Sequence, residues 1–369
     1  MRRALGVLLI LALVGAAAAG AAKPKPKPKP KPKPKPPAAA TFASGLYYVV
    51  PSLDHPGGTL TLLGGTLKMT FALAGNTGWA INHKELVWAA GNTVHIVSPA
   101  GVDRTVTAQG LFAMGRPTLS PDGTQIAVQA TETDPTGAQF PHFLTVYAIN
   151  LATGTWRRVV QPSSNAQTGN ELPEWSPTDA STIAHQGIRD DPSSTDGNPC
   201  DVFPLVDATS GVVKLTVKND GTSGCYRPAR GVLDGPRFHI TFTADGTKLL
   251  VVGQMRTYST ASGALVSDIH DKVLAALSAA GYAADDRFSG QGGGGTFPLD
   301  GTFSPDGTQI VFDGAVQKAG SYSVLLMRIN TDGTGFTILA GPLTVAPQFS
   351  NNHNYSRSEE RRVGKECRL

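Results

Sequence analysis

Two stretches of this sequence gather side chains of the types that do chemistry elsewhere. Asp190-Asp191-Pro192-Ser193-Ser194-Thr195-Asp196-Gly197-Asn198 is rich in the hard oxygen donors that hold Ca²⁺. Its donors do not fall at the spacing of a Ca²⁺ loop, so a solvated turn is the better fit. The second stretch runs from Cys225 through Tyr226 and Arg227 to Arg230. Cys200 and Cys225 are an even pair once Cys367 is set aside, and in an exported chain they read as a disulfide rather than as free thiols. It would close a loop of about 25 residues and stabilise the fold by about 3 kcal/mol.

A catalyst does not assemble from what remains. The sequence has no Gly-x-Ser-x-Gly elbow, no His-Glu-x-x-His, no Walker loop and no Cys-x-x-Cys. His55, His83, His95, His142, His185, His239, His270 and His353 are scattered, without metal-ligand spacing. The run Gly292 to Gly295 lacks the Lys and the helix that follow a phosphate loop. No catalytic residue, metal or cofactor is therefore expected.

The elements that position these groups announce themselves as repeats. Pro117-Thr118-Leu119-Ser120-Pro121-Asp122-Gly123-Thr124-Gln125-Ile126 returns as Gly301-Thr302-Phe303-Ser304-Pro305-Asp306-Gly307-Thr308-Gln309-Ile310. Looser copies are Trp175-Ser176-Pro177-Thr178-Asp179 and Phe242-Thr243-Ala244-Asp245-Gly246, with a degenerate one at Trp79 to Trp88 and the start of another at Pro347 to Ser350. Each copy reads as a strand, a tight turn with Pro preset at its first corner, and a second apolar strand. A further turn follows, as at Thr153-Gly154, Thr209-Ser210-Gly211 and Thr331-Asp332-Gly333, which makes four strands per unit. The marked Ser or Thr recurs at spacings of 56, 67, 61 and 46 residues, as expected for propeller blades with insertions.

The Ser-Pro-Asp-Gly strand-turn-strand resembles the WD-like repeat of TolB-type propellers over roughly residues 42 to 350. The resemblance implies an all-β propeller of about six four-stranded blades. It also implies a periplasmic protein-binding module, while related propellers cap the catalytic domain of prolyl-oligopeptidase-like peptidases. The fourth unit departs from the pattern by lacking Pro before Asp245-Gly246, and the first lacks the turn motif. Ring closure is expected to pair the hairpin at Leu46 to Leu63 with two inner strands from the C-terminal side, the first at Pro347 to Ser350 and the second missing, leaving the closing blade incomplete. One helix is expected after Ser267 as N-cap, with Ile269, Val273, Leu277 and Ala280 on one face and Gly281 at its end. A packed insertion fits it better than a lid.

Composition sorts the chain into four parts. Residues 1–22 read as a signal peptide, Met1-Arg2-Arg3 followed by an apolar run from Ala4 to Ala19 that is short for a spanning helix. Residues 23–40 form a stalk in which Lys-Pro repeats seven times, a polyproline II spacer of about 45 Å. It is a solvated spacer, or one that meets an anionic wall or membrane surface. Residues 41–356 are the propeller. The segment 357–369 contains Arg357-Ser358-Glu359-Glu360-Arg361-Arg362-Val363-Gly364-Lys365-Glu366-Cys367, which resembles a translated sequencing adapter residue for residue, so the native chain is expected to diverge near Ser356.

The formal charge of +4 hides an acidic body, because residues 41–356 hold 18 basic and 25 acidic side chains. That balance argues against nucleic acid as a partner. A monomer is expected, exported to the periplasm, the cell wall or the outside. The long segments 131–143, 188–200, 219–237 and 285–300 fall at second-to-third and blade-to-blade connections, where a rigid scaffold usually carries its binding groups. Asp134, His142, Asp190, Asp191, Asp196, Tyr226, Arg227 and Arg230 are thus candidate binding residues on one rim, for a protein or glycan ligand. The alternative is a propeller that gates a hydrolase domain encoded further on.

Overall fold

The computed structural model describes residues 45–51, 58–62, 68–71, 79–82, 84–132, 145–161, 170–190, 199–217, 239–284, 300–344 and 361–363. Strands β1 (Gly45–Pro51), β2 (Gly58–Leu62) and β3 (Lys68–Phe71) come first. Five blades follow, each a meander of four consecutive antiparallel strands. Blade 1 is β4 (Trp79–Ile81), β5 (Leu86–Ala90), β6 (Thr93–Val97) and β7 (Asp103–Thr107). Blade 2 is β8 (Leu111–Leu119), β9 (Gln125–Glu132), β10 (Thr145–Asn150) and β11 (Trp156–Arg158). Blade 3 is β12 (Asn170–Trp175), β13 (Thr182–Asp190), β14 (Pro199–Asp207) and β15 (Val213–Val217). Blade 4 is β16 (Ile240–Phe242), β17 (Lys248–Val251), β18 (Arg256–Ser259) and β19 (Leu265–Asp268), and helix α1 (His270–Ala279) follows it. The short β20 (Ala283–Ala284) joins blade 5, which is β21 (Asp300–Phe303), β22 (Gln309–Lys318), β23 (Ser321–Asn330) and β24 (Thr337–Thr344). The protein is an all-β propeller, with the innermost strands β4, β8, β12, β16 and β21 adjacent in that order.

A sixth four-stranded sheet joins the two ends of the chain. Its order is β25-β1-β2-β3, where β25 (Arg361–Val363) pairs antiparallel with Gly45 to Tyr47 and lies against β4. The expected division of this sheet, two strands from each end, is thereby corrected to three and one. Lys68–Phe71 pairs with β2 and takes the outer place, and the inner strand comes from 361–363, inside the adapter-like segment. Pro347 to Ser350 lies outside the described residues.

Why consecutive strands pack as blades follows from their side-chain alternation. Ile126, Val128 and Ala130 of β9 point toward blade 1 and share a core with Val87, Ala89, Val94 and Ile96, whereas Ala127 points the other way to Trp175, Ile183 and Val206 of blade 3. Strands buried on both faces are apolar at nearly every position, which is why their period of two is weak in the sequence. A third core joins Phe203 and Leu205 to Phe242 and Tyr258 between blades 3 and 4. Between blades 4 and 5 the core takes in α1, whose Val273 and Leu277 pack beside Phe303, Phe312 and Leu325. The helix is a packed insertion. It begins at His270 rather than just after Ser267, because Ser267 is claimed by β19, where it pairs with Thr257. Among the described residues no helix is long and apolar enough to cross a membrane.

Candidate functional site

The two faces of the ring carry different sets of connections. On one, each first-to-second turn closes on itself. In blade 2 the Ser120 backbone N–H donates to the Gln125 carbonyl at 2.9 Å, Gly123 N–H returns to the Ser120 carbonyl at 2.8 Å, and the Ser120 hydroxyl donates to Asp122 at 2.6 Å. Asp122 accepts the Thr124 N–H at 3.0 Å, and the Ser120 hydroxyl oxygen accepts the Gln125 N–H at 3.0 Å. The same bonds recur around Thr243-Asp245-Thr247 and Ser304-Asp306-Thr308. The hydroxyl of Ser120, Thr243 or Ser304 is in each case the main cause that holds Asp122, Asp245 and Asp306 below the usual carboxylate range. The Thr182 hydroxyl brings Asp179 down to about 2 in the blade 3 turn.

Third-to-fourth turns stand on this same face and are tied to the first. Leu151 N–H donates to the Thr124 carbonyl at 3.0 Å, Ala208 to Ser181 at 2.8 Å, Thr260 to Thr247 at 3.0 Å and Thr331 to Thr308 at 2.9 Å, one such bond in each of four blades. The polar groups of these turns are engaged in holding the blades.

The opposite face receives the free ends of the second strands. Chain connectivity attaches segments 133–144 and 191–198 there as second-to-third connections, and 218–238 and 285–299 as blade-to-blade connections. Blade 5 raises a long hairpin at this end, since β22 and β23 are ten residues each and outrun β21. β20 pairs with its extension at Val316 and Gln317, and Lys318 places its ammonium 4.5 Å from the Tyr282 ring centre. At the end of β9, Glu132 accepts from Arg158 Nε at 2.9 Å and also from its Nη2, while Arg158 Nη1 reaches Gln161 at 3.1 Å. Burial, with Glu132 next in weight, pushes the nearby Tyr147 phenol up to about 12.

Of the residues singled out from the sequence, Asp190 ends β13 opposite Pro199, and Cys200 lies on β14 opposite Arg189. Asp134, His142, Asp191, Asp196, Tyr226, Arg227, Arg230 and Cys225 lie outside the described residues. The sequence reading passed over two bulges on neighbouring inner strands. β8 shifts register between Phe112 and Thr118, and β12 between Glu171 and Glu174. Each bulge has a buried non-glycine residue in the left-handed region, Arg116 at φ 53° and Leu172 at φ 50°, and each is followed by Pro. A proline inside an inner strand was the available signal. The Gln129 side chain bridges the two blades by accepting the Leu172 N–H at 3.0 Å. One strand over, His185 is buried and held neutral by that burial, its pKa lowered to about 4. Among the described residues no group of His, Cys, Asp and Glu is placed to hold a metal ion.

No family model and no curated protein matches this chain. Solved structures do. TolB from Acinetobacter baumannii aligns at a TM-score of 0.50 with 18% identity, covering 79% of this chain and 62% of that one. A chain of a nidogen/laminin complex aligns at a TM-score of 0.50 with 11% identity, covering 88% of this chain and 100% of that one. At such identities the likeness establishes the propeller fold alone. The chain spans 62% of the length of the TolB structure.

Proposed function

We propose that this protein is an exported, non-catalytic propeller scaffold that holds a protein or glycan ligand at the cell envelope. Its ligand face is the one that bears the second-to-third and blade-to-blade connections. The observation that carries this reading is the asymmetry of the faces: one spends its polar groups on its own turns, while the other receives every long connection. Loops held on a rigid frame can vary in sequence without cost to the cores between blades, which suits recognition. The apolar N-terminal run and the Lys-Pro stalk suit delivery across a membrane followed by display at a distance from it.

A photo-cross-linking amino acid placed in turn at Asp196 and at Thr308 tests the assignment in the envelope of an expressing cell. Adducts to envelope protein or to wall glycan are expected from position 196 and not from 308. Equal adducts from both positions, or adducts from 308 alone, would remove the loop face from consideration.

A further inference from the structure

Blades 2 and 3 are pinned together at several heights. At the turn face Arg157 donates twice to the Ala208 carbonyl, at 3.1 and 2.9 Å, and Gly211 lies close against the Val159 carbonyl. Further along, the Thr118 hydroxyl oxygen accepts the Trp175 N–H at 3.2 Å. Toward the loop face the tie is the Leu172 N–H, which donates to Gln129 Oε1 at 3.0 Å. That last tie holds a bulge. Glu171 pairs with Gln186 and Glu174 with Ala184, so Leu172 and Pro173 both stand against one residue, His185. Leu172 is buried at φ 50°, which costs free energy for a non-glycine residue, and Pro173 brings no N–H to the strand.

His185 is 2% exposed. It lies on the blade 2 side of its strand, because Ile183 packs with Ala127 and Val146 of blade 2 whereas Ala184 packs with blade 4. Its Nδ1–H donates to the Gln186 carbonyl at 3.1 Å, so an added proton goes to Nε2. The described groups on this side offer such a charge no carboxylate. β12 brings Leu172 and Pro173, β14 brings Val202 and Pro204, and β9 brings Thr131 and Gln129, whose oxygen already serves Leu172. The charge on β8 is Arg116, of the same sign as a protonated imidazole. Glu174 pairs with Ala184 and shares its side, toward blade 4, and Arg189 and Cys200 hold the next register position toward the loop face.

We infer that His185 is an acid-operated switch at this boundary: when its imidazole takes a second proton, the bulge of β12 releases Gln129 and the loop-face half of the boundary opens, while the turn-face half stays closed. β9 and β13 both end at the loop face, so opening draws apart Glu132 and Asp190 and the connections 133–144 and 191–198 that follow them in the chain. Burial holds the imidazole neutral in the closed state, with its pKa lowered to about 4 against about 6.5 in water. The open state therefore takes the proton first, and opening grows as pH falls from about 6.5 toward 4. The inference is independent of the ligand reading.

Amide hydrogen exchange of the full chain, taken relative to the intrinsic rate at each pH, tests it. Between pH 7 and 4.5 the Leu172 amide is expected to lose protection by about fiftyfold, while the Trp175 amide keeps its own. H185Q removes this pH dependence at Leu172. Q129M, which takes away the acceptor, opens Leu172 to exchange at pH 7 and leaves acid little to release. Equal losses at Leu172 and Trp175 would mean that the boundary opens as a whole and would overturn the inference. Protection at Leu172 that holds down to pH 4.5, or that still falls with pH in H185Q, overturns it as well. If H185Q does not fold, Q129M decides: a Leu172 amide still protected in it at pH 7 shows that the switch has no tie to release.

Discussion

Gly154 of blade 2 lies so close to blade 1 that a Cβ added to it would stand 2.5 Å from the carbonyl oxygen of Thr107. The relation repeats around the ring. Gly211 of blade 3 faces the Val159 carbonyl of blade 2 in the same way, and Gly263 of blade 4 faces Thr216 of blade 3 at 2.8 Å. Each glycine also holds a positive φ, from 70° to 75°. Gly154→Ala therefore meets both a backbone strain of about 1 kcal/mol and a blade boundary that must open. Gly91, at φ 61° with open space where its Cβ would go, meets only the first. Urea unfolding is expected to show a loss of about 3 kcal/mol for Gly154→Ala and about 1 kcal/mol for Gly91→Ala. Equal losses would show that the close approach contributes nothing.

Arg157 is a second tie between blades, and it is made by a side chain. Its Nε and Nη2 donate to the Ala208 carbonyl of blade 3 at 3.1 and 2.9 Å, and Nη1 donates to Gln125 of its own blade at 2.7 Å. Arg104 makes the corresponding reach from blade 1 to the Leu151 carbonyl at 2.9 Å. Arg157→Ala is expected to cost about 2 kcal/mol, in line with charged hydrogen bonds that are only partly exposed. Arg157→Lys should recover less than half of this, since one ammonium cannot span both partners. A lysine variant as stable as the parent would mean that charge alone, and not the fork, holds the boundary.

Stability is expected to fall with acid in two separate windows. His185 is buried and neutral with a pKa lowered to about 4, against about 6.5 when unfolded. Between those values the unfolded chain binds the proton and the folded chain does not, so stability rises with pH across about 4 to 6.5, by on the order of 3 kcal/mol. Asp179 is depressed to about 2, chiefly by the Thr182 hydroxyl. Its contribution is full above the ordinary carboxylate value and is lost as pH falls toward 2. His185→Gln should flatten the upper window and leave the lower, and Asp179→Asn should flatten only the lower. Thermal unfolding from pH 2 to 7.5 reads both slopes.

The repeat at Ser120 and Ser304 made the blades legible before any coordinates, because Pro, Asp and Gly in that order leave the chain few turns other than a tight hairpin. The helix was legible from the spacing of Val273 and Leu277, but its start was not. Ser267 has the chemistry of a cap, and only its pairing with Thr257 shows that a strand holds it. The closing sheet was half legible. A hairpin from Leu46 to Leu63 is written in the sequence, whereas the third strand at Lys68 and the short inner strand at Arg361 have no local pattern to mark them. The bulges at Arg116 and Leu172 were marked only by the proline that follows each, Pro117 and Pro173, inside a strand that is otherwise an inner one. Of the candidate binding rim, only Asp190 falls on described structure, and the charge pair of Glu132 and Arg158 that borders the first long loop was missed because 26 residues separate its members.

Cys200 stands on β14 opposite Arg189, one strand-end away from the oxygen-rich loop, and Cys225 follows in the connection to blade 4. A bond between them would tie that connection to blade 3. Intact-mass measurement of the chain purified under oxidising conditions is expected to show a gain of two hydrogens on reduction, and Cys225→Ser to lose about 3 kcal/mol of stability. Two thiols open to alkylation before reduction would exclude the bond.

Charged groups on the long connections are where the ligand reading is most exposed to test. Asp191 and Arg227 belong in sequence to the two connections attached to the loop-face ends of blade 3, outside the described residues. Loss of both should leave the unfolding transition in place, since the cores between blades are untouched. It should lower the yield of the adduct captured from position 196 by about tenfold or more, the scale of losing one or two charged contacts at an interface. Lys84→Ala, an exposed change in the blade 1 turn on the other face, supplies the control and should keep the full yield. If the double variant captures its ligand as well as the parent while folding normally, these two side chains take no part in binding, and recognition has to be sought at other residues of the loop face such as Glu132 and Arg158.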